Sequence, residues 1–475
     1  MPVTLLAALI IAFGFEGTAP AGVLSGVDLA GRLADAAIGV GFVAAVALGY
    51  AAIVRRGMVV GGEPSRGLRK LRGVAGPTID VVSLVVYAWI IHVAGWPRAM
   101  GEVAGRWGSA CVAVSVFAPY LVERLAVAVG MHAAERAWRR GRGPGLGSYL
   151  VRRGRQLLGL FLPLALVSGL GREVGRHITV GGPMAPYVEL AGMAASAALV
   201  LCLAPLFIRL SWPTHRLEDG PLRDRLERLS KRLGFRCTQI LVWETGGGVV
   251  NAGVTGLLPF FRYVLLSDAL IAELDPREVE AVFGHEVGHV AHRHFRDYGL
   301  FLIGSLGVLT LADRVAAWAL PMESSAWAST GRSACWLLAM GGYFLGVFGL
   351  LSRRFERQAD VYGCRAVSCG RQDCPPTHAD VNAADSGIGL TPLCPAGIRI
   401  FAGALTRVAE SNGMQEGPLA AFLAWRHGRI SRRVAFLLRM EGRPEAEPRF
   451  QRGVVRLRLM VGAGLVAAWI LAARG

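Results

Sequence analysis

The composition of this chain excludes an ordinary soluble globular protein. Its 475 residues are 53% hydrophobic and only 18% charged, a balance typical of membrane proteins. The formal net charge is +17, but the basic residues lie in loops between apolar runs, with no nucleic-acid-binding motif around them. We therefore expect a lipid bilayer as a partner and no nucleic acid.

Long apolar runs predict a polytopic membrane protein. A membrane-spanning helix needs about 20 mostly apolar residues, and nine runs approach that length, of which the first, fifth and last are short. Because no lysine or arginine precedes the first run, we expect no secretory signal peptide. The candidate spans are 3–15, 35–54, 77–95, 108–130, 157–171, 187–209, 298–319, 334–351 and 457–473.

The placement of arginine predicts the orientation of the chain. The loops 55–72 and 135–155 are rich in arginine, whereas the segments 98–106 and 172–176 are poorer. Because arginine-rich short loops stay in the cytoplasm, six spans would bring the chain into the cytoplasm, as in a bacterial inner membrane. The next two spans then form a hairpin that returns the chain to the same side. The sequence leaves the oligomeric state open.

The segment 212–275 predicts a small soluble α+β region. Leucines recur at helical spacing in residues 221–235 and predict an amphipathic helix. Three β-rich runs follow at 239–243, 249–255 and 262–266. An edge strand in this region would offer unpaired backbone groups that hold an extended peptide by strand addition.

The stretch HEVGHVAHRH, residues 285–294, carries the pattern HExxH. An N-cap residue, a first-turn proline and a capping-box glutamate upstream predict a helix that begins at Pro276. On that helix His285 and His289 stand one turn apart and can both bind zinc, and Glu286 lies beside the attacking water as its base.

A zinc hydrolase needs a third protein ligand. The metzincin pattern requires glycine at position 292 and histidine at position 295, but the chain has His292 and Phe295, which excludes it. The other choice is a glutamate on a later helix, and SRRFERQAD provides Glu356, with Asp360 one turn on. Asp360 would either orient a ligand histidine or form a salt bridge with a neighbouring arginine. We expect one Zn²⁺ per chain.

Two further histidines, His292 and His294, extend the imidazole run. His292 lies three residues after His289 and could compete for a metal ion. Two histidine ligands and a glutamate already suffice, so we assign both further histidines a structural role.

Four short motifs follow one another in the second half of the chain. They are NAGVTG (251–256), RYVLLSDAL (262–270), HEVGH (285–289) and SRRFERQAD (352–360). In this order they resemble the integral-membrane zinc metallopeptidases, the family of the eukaryotic CAAX prenyl endopeptidase and the bacterial HtpX heat-shock protease. The resemblance covers about 205–440, and the N-terminal third resembles the family only as a set of membrane spans.

The resemblance implies roles for further residues. Asn251 and Gly256 are candidate substrate contacts, and simple turn residues are the equally open alternative. His427 and Arg433 match in spacing a His-x5-Arg element of the family and are candidate catalytic residues for the transition-state oxyanion. A glycine stands between them where the family often has proline, and a basic, membrane-proximal helix is the alternative. The resemblance also favours the orienting role of Asp360.

Of the eight cysteines, four fall in one loop-rich segment: Cys364, Cys369, Cys374 and Cys394. No C-x2-C pair occurs among them, so the pattern does not predict a zinc ribbon. A structural metal, a redox-sensitive pair and free thiols stay open as alternatives. Residues 371–390 are polar and rich in turns, which predicts a mobile loop over the site.

We interpret the chain as a mostly α polytopic membrane protein with a small α+β zincin-like (gluzincin) catalytic domain. The N-terminal membrane region of about six helices covers 1–210, and the cytoplasmic domain with the HExxH helix covers 211–297. A membrane hairpin follows at 298–352. The third-ligand helix and the cytoplasmic remainder of the catalytic domain occupy 353–454, and a C-terminal membrane helix occupies 455–475.

The expected activity is hydrolysis of peptide bonds in membrane or membrane-associated proteins by a zinc metalloendopeptidase. One alternative is a signal-transducing regulatory membrane protease, which would carry a ligand-binding domain outside the membrane, but the predicted external loops are too short for one. The other is a catalytically inactive scaffold that binds membrane proteins. A scaffold has no need of the base Glu286, which argues against it.

Overall fold

The computed structural model divides the chain into two compact units, Met1–Trp212 and Pro213–Gly475. The five-segment division predicted from the sequence is finer and stays a prediction. The residues that the structure describes are 28–61, 66–104, 109–138, 145–159, 199, 202–203, 205–319, 339, 341–371, 374, 389–414 and 427–474.

The first unit is mostly helical in its described residues. Residues 146–159 are also helical. The helices with complete bounds are α1 (Leu29–Gly61), α2 (Arg66–His92), α3 (Trp96–Ala104), α4 (Ser109–Val116) and α5 (Ala118–Trp138).

The run 108–130, predicted as one span, forms the two helices α4 and α5 instead. In one continuous helix the carbonyl of Ser115 would accept from the N–H of residue 119, but Pro119 has no N–H. Trp96 supplies the missing donor, because its Nε1 donates to the Ser115 carbonyl at 2.8 Å. The proline therefore explains why the helix is interrupted at Phe117.

Four described helices are long and apolar enough to cross a membrane: Leu29–Met58, Val74–His92, His294–Ala312 and Ala446–Ala472. Each overlaps one of the predicted spans, and with the small sheet described below they confirm the predicted fold class. The five other predicted spans lie wholly or partly outside the described residues: 3–15, 108–130 (by residue 108 alone), 157–171, 187–209 and 334–351.

The second unit contains a four-stranded sheet of order β1-β2-β4-β3. β1 (Thr214–Arg216) pairs antiparallel with β2 (Gln239–Trp243), which pairs parallel with β4 (Tyr263–Ser267). β3 (Ala252–Thr255) pairs antiparallel with β4 and forms one edge of the sheet. Every residue of β4 is buried, as its unbroken apolar sequence predicts for an inner strand.

Eight helices of the second unit have complete bounds in the described residues. A short 3-10 helix (Pro259–Phe261) precedes β4, and a π-helical turn (Phe344–Phe348) leads into α10. The helices are α6 (Pro221–Arg232), α7 (Asp268–Glu273), α8 (Pro276–Ala291), α9 (His294–Ala319), α10 (Gly349–Ala366), α11 (Pro395–Ser411), α12 (Ile430–Leu438) and α13 (Ala446–Arg474).

The HExxH helix α8 begins where the sequence predicts. Pro276 occupies its first turn, and the backbone N–H of Asp275 donates to Glu278 Oε2 at 3.1 Å, which satisfies a donor at the helix start. Phe283 and Val287 of α8 are almost fully buried in the main apolar core. Burial of this face fixes the rotation of α8 and thereby the direction of its two ligand histidines.

Helices α8 and α10 approach closely because glycines line their contact. A Cβ atom added to Gly363 would lie 2.7 Å from the carbonyl oxygen of Ala281. A Cβ atom added to Gly288 would lie 2.9 Å from Cβ of Tyr362. The close approach brings α10, which carries Glu356, against the HExxH helix.

We expect the substitution Gly363→Ala to destabilise the protein by roughly 1–3 kcal/mol, the usual cost of overpacking a core. The added methyl group meets a backbone oxygen of α8, which cannot move aside as a flexible side chain does. Thermal unfolding of the detergent-solubilised chain measures the effect. Gly453→Ala in α13 is the matched control, because no atom lies within 4 Å of its added Cβ. Equal unfolding temperatures for the two variants would contradict the tight contact.

Candidate metal centre

The three metal ligands predicted from the sequence lie together in the second unit. The Nε2 atoms of His285 and His289 are 3.3 Å apart. Glu356 places Oε2 at 3.7 Å from His285 Nε2 and Oε1 at 3.9 Å from His289 Nε2. In a tetrahedral zinc site with bonds of about 2.0–2.1 Å, neighbouring nitrogen ligands stand about 3.3 Å apart. Two imidazoles and a carboxylate at this spacing fit a zinc ion.

Asp360 lies one turn after Glu356 and is fully buried between a histidine and an arginine. Its Oδ1 is 3.0 Å from His285 Nδ1, although the contact is not aligned as a hydrogen bond. Arg433 donates from Nε to Oδ2 at 2.9 Å and from Nη2 to Oδ1 at 2.5 Å. Arg433 Nη1 is also 3.3 Å from Glu356 Oε2. One guanidinium therefore compensates two buried carboxylates.

A chain of hydrogen bonds sets the tautomer of His289. Gln358 Oε1 accepts from Arg458 Nη2 at 3.2 Å, and Gln358 Nε2 donates to Gln451 Oε1. These two bonds fix the orientation of the Gln358 amide. Its oxygen therefore faces His294 Nε2, 3.0 Å away. A carbonyl oxygen can only accept, so His294 carries its proton on Nε2. Its Nδ1 then accepts from His289 Nδ1, 3.0 Å away. His289 Nε2 is left with a lone pair, as a metal ligand requires.

Burial and neighbouring charges set the ionisation of the ligands. Burial lowers the pKa of His289 to about 3, so its imidazole is neutral. Burial also lowers the pKa of His285, but the adjacent Asp360 carboxylate more than offsets this and the net shift is upward. Burial raises the pKa of Glu356, but Arg433, His427 and His289 together outweigh burial and hold the pKa of this carboxyl well below its usual range.

Glu286 follows the first ligand on α8 and faces the edge strand β3. Its Oε2 accepts the backbone N–H of Val254 at 3.1 Å. Burial raises the pKa of the Glu286 carboxyl; His285 opposes the rise and Glu356 adds to it. An upward shift brings a carboxylate closer to the range in which a general base works at neutral pH.

The structure also brings both residues of the predicted His-x5-Arg element to the centre. His427 Nδ1 is 2.8 Å from Glu356 Oε1, and its side chain is 60% exposed at the rim. Arg433 is buried against the carboxylates of Glu356 and Asp360. Their catalytic roles stay predictions.

The two predicted substrate contacts flank β3. Asn251 is exposed just before the strand, and its backbone N–H donates to Ser267 Oγ at 3.0 Å. Gly256 follows the strand with φ +102°, and a Cβ atom added there would lie 2.8 Å from Cα of Arg262. Backbone conformation alone thus requires glycine at position 256. Their contacts with substrate stay predictions.

The sequence interpretation missed the bond from the ligand His289 to His294 and Gln358. His294 lies beyond the end of α8, and its spacing from His289 is not that of one helical face. A weak signal existed, because Gln358 stands two residues after Glu356 on a helix buried on most faces. A buried amide needs hydrogen-bond partners, but the sequence does not identify them.

A buried HExxH helix beside the edge of a small sheet, with a glutamate from a second helix, defines a zincin-like domain of the gluzincin arrangement. Residues 216–437 match the sequence profile of Peptidase family M48. This match confirms the resemblance to the integral-membrane zinc metallopeptidases.

Curated relatives agree with that match. The chain is similar to the Protease HtpX homolog of Leptothrix cholodnii, with 34% identity over 137 residues, 28% of this chain and 39% of that protein. It is similar to CAAX prenyl protease 1 of Saccharomyces cerevisiae, with 32% identity over 117 residues, 23% of this chain and 26% of that protein. The matched segments thus span less than half the length of either relative.

Among solved structures, the crystal structure of S. mikatae Ste24p is similar to this chain with a TM-score of 0.48 and 16% sequence identity. The similarity covers 85% of this chain and 98% of that one.

Proposed function

We propose that this chain is a zinc metalloendopeptidase that hydrolyses peptide bonds in membrane or membrane-associated proteins. The observation that carries the proposal is the convergence of three ligand atoms, from His285, His289 and Glu356, within 4.8 Å of one another. Glu286 directly follows His285 on the same helix. The match to Peptidase family M48 and the four helices long enough to cross a membrane support a membrane protease.

The residues of the centre have distinct roles in this proposal. His285, His289 and Glu356 would hold the zinc ion, which when bound polarises a scissile carbonyl and lowers the pKa of water toward neutrality. Glu286 takes the proton of the attacking water and returns it to the leaving amine. Asp360 lies beside Nδ1 of His285, the ring nitrogen opposite the proposed metal ligand Nε2, and orients that imidazole.

The edge strand β3 is the proposed binding site of the peptide substrate. The N–H of Val254 points toward Glu286, so the open edge of β3 faces the general base. A peptide that pairs with this edge would pass its backbone beside the centre, between Asn251 and Gly256 at the two ends of the strand. His427, exposed at the rim, is the proposed oxyanion donor, and Arg433 holds the carboxylates in place.

Cleavage of an unfolded reporter such as casein by the detergent-purified chain tests the proposal. A strong chelator should abolish cleavage, and added Zn²⁺ should restore it, because the ligands alone cannot activate water. Cleavage that is indifferent to the chelator would exclude a zinc mechanism. Zinc binding without cleavage of casein or of membrane-inserted reporters would favour the inactive scaffold.

We propose further that the chain lies in a bacterial inner membrane and that the metal centre faces the cytoplasm. The hairpin 298–352 then lies within the lipid bilayer. A green-fluorescent reporter inserted after Pro213 should fluoresce, because that protein matures in the cytoplasm. Alkaline phosphatase fused after Gly475 should be active, because that enzyme matures only on the opposite side of the membrane. The reverse pattern would contradict the orientation predicted from arginine placement.

Replacing His294 with phenylalanine is expected to weaken zinc binding about 10–100-fold, the usual cost of losing a partner that orients a ligand. Phenylalanine keeps the stack on Phe355, whose ring centroid is 4.2 Å away, but cannot accept from His289. Competition with a fluorescent chelator measures the affinity. His292→Phe, at the C-cap of α8 two residues before His294, is the matched control and should bind zinc as wild type does. Equal affinities for both variants would exclude the orienting role.

A further inference from the structure

Three cysteines converge near the start of α11, away from the centre described above. They are Cys369, Cys374 and Cys394, and their sulfur atoms all lie within 4.8 Å of one another. Cys374 and Cys394 are 6% and 1% exposed. The three pack with Ala396 in a small cluster separate from the main apolar core. Cys369 is partly buried. The small apolar surface of this cluster does not explain why three thiols converge there.

The polypeptide around Cys394 is arranged to stabilise a thiolate. Cys394 is the N-cap of α11, and its Sγ accepts the backbone N–H of Gly397 at 3.3 Å. The same sulfur accepts the N–H of Cys369 at 3.5 Å. The N–H of Cys394 itself donates to Ser368 Oγ at 3.2 Å, which fixes the turn. Backbone donors and a helix N-terminus both favour negative charge on sulfur.

We propose that Cys369, Cys374 and Cys394 form a second metal site that binds a thiophilic divalent cation, zinc foremost. Zinc–sulfur bonds of about 2.3 Å place the sulfurs of a tetrahedral site about 3.8 Å apart, within the observed limit of 4.8 Å. The thiols release their protons to solvent as the cation binds. A disulfide would join two of the three sulfurs and leave the third without a bond, whereas one cation binds all three. A nitrogen or oxygen donor completes the tetrahedron.

The position of the cluster gives this metal a structural role. Cys369 lies just after α10, the helix that carries Glu356, and Cys394 is the residue directly before α11. The cluster therefore connects the end of α10 to the start of α11. Phe401 of α11 stacks on His285, with ring centroids 5.6 Å apart. A cation at the cysteines therefore closes the segment 370–393 and holds together two helices that border the ligand set. Closing such a segment reduces the entropy of the unfolded chain.

Zinc content of the full-length, detergent-solubilised chain tests the proposal by elemental analysis. Wild type is expected to hold about two zinc ions per chain, and the double variant His285→Ala/His289→Ala about one. The triple variant Cys369→Ser/Cys374→Ser/Cys394→Ser should also hold about one. Cys111→Ser, which changes an exposed cysteine of α4, is the matched control and should keep the wild-type content.

X-ray absorption at the zinc edge identifies the ligands without relying on the cysteine variants to fold. The histidine double variant should show zinc with about three sulfur ligands and one lighter donor, whether or not the chain is a protease. A spectrum of wild type without sulfur ligands overturns the proposal. A disulfide would lower the mass of the wild-type chain by two hydrogens and leave no sulfur-bound zinc. That result overturns the proposal as well.

Discussion

Replacing Glu286 with glutamine is expected to reduce peptide cleavage by roughly 10²–10⁴-fold, the contribution of a general base. Glutamine has the same shape but cannot take the proton of the attacking water. Its amide oxygen can still accept the N–H of Val254, so the contact between α8 and β3 is kept. Since the carboxylate is not among the three ligand atoms, zinc should stay bound. Casein cleavage and zinc content of the same preparation provide the measurement.

Glu280→Gln is the matched control for this experiment. Glu280 lies on the same helix but pairs with Arg225 of α6, with an N–O distance of 3.0 Å, and does not contact the centre. Its cleavage rate should be that of wild type. A Glu286→Gln variant that cleaves as fast as Glu280→Gln would require another base. A variant that loses zinc together with cleavage would place Glu286 among the ligands instead.

The sequence predicts those parts of the centre that one helix or one motif encodes. His285 and His289 are one turn apart, and the N-cap and proline before α8 fix where that turn begins, so their shared face follows from helix geometry. Glu356 follows by elimination of the metzincin pattern and by its place in SRRFERQAD. The structure adds how closely α10 approaches α8, which the glycines Gly288 and Gly363 permit.

The orienting role of Asp360 was predicted from the resemblance, but the further partners of the residues around the ligands were not predictable in the same way. Asp360 had arginines beside it on its own helix, yet its partner is Arg433 of α12, 73 residues away in the chain. The partner of His294 is Gln358, 64 residues away. Such pairs depend on how separate helices pack, and a single sequence carries no periodic signal for them.

The cysteines illustrate the same limit. Their spacing matches no zinc ribbon, and the structure brings Cys369 and Cys394 together although they lie 25 residues apart in the chain. The run 108–130 shows a second limit, because average hydropathy does not predict where a helix is interrupted. Run 108–130 satisfies hydropathy as one span, but Pro119 removes the backbone donor that a continuous helix requires. Local chemistry outweighed average hydropathy at that position.

Replacing Glu356 with glutamine is expected to remove zinc from the histidine centre and cleavage together. The variant keeps the size of the side chain but removes the charge that the cation and Arg433 both neutralise, so we expect zinc affinity there to fall by more than about 100-fold, beyond the effect of losing an orienting partner. Zinc titration of cleavage activity measures it, and Glu410→Gln, an exposed glutamate of α11, is the matched control.

Arg433 gives this variant a second, independent signature. In wild type its guanidinium forms ion pairs with two carboxylates, and in Glu356→Gln the ion pair with Glu356 is lost while that with Asp360 stays. Breaking one arm of a buried ion network destabilises a fold, so the unfolding temperature should fall as well, and excess zinc should not restore it fully. If high zinc restores both cleavage and unfolding temperature, Glu356 acts only as a ligand. If neither cleavage nor the unfolding temperature changes, Glu356 is not the third ligand, and another residue must supply the third donor to zinc.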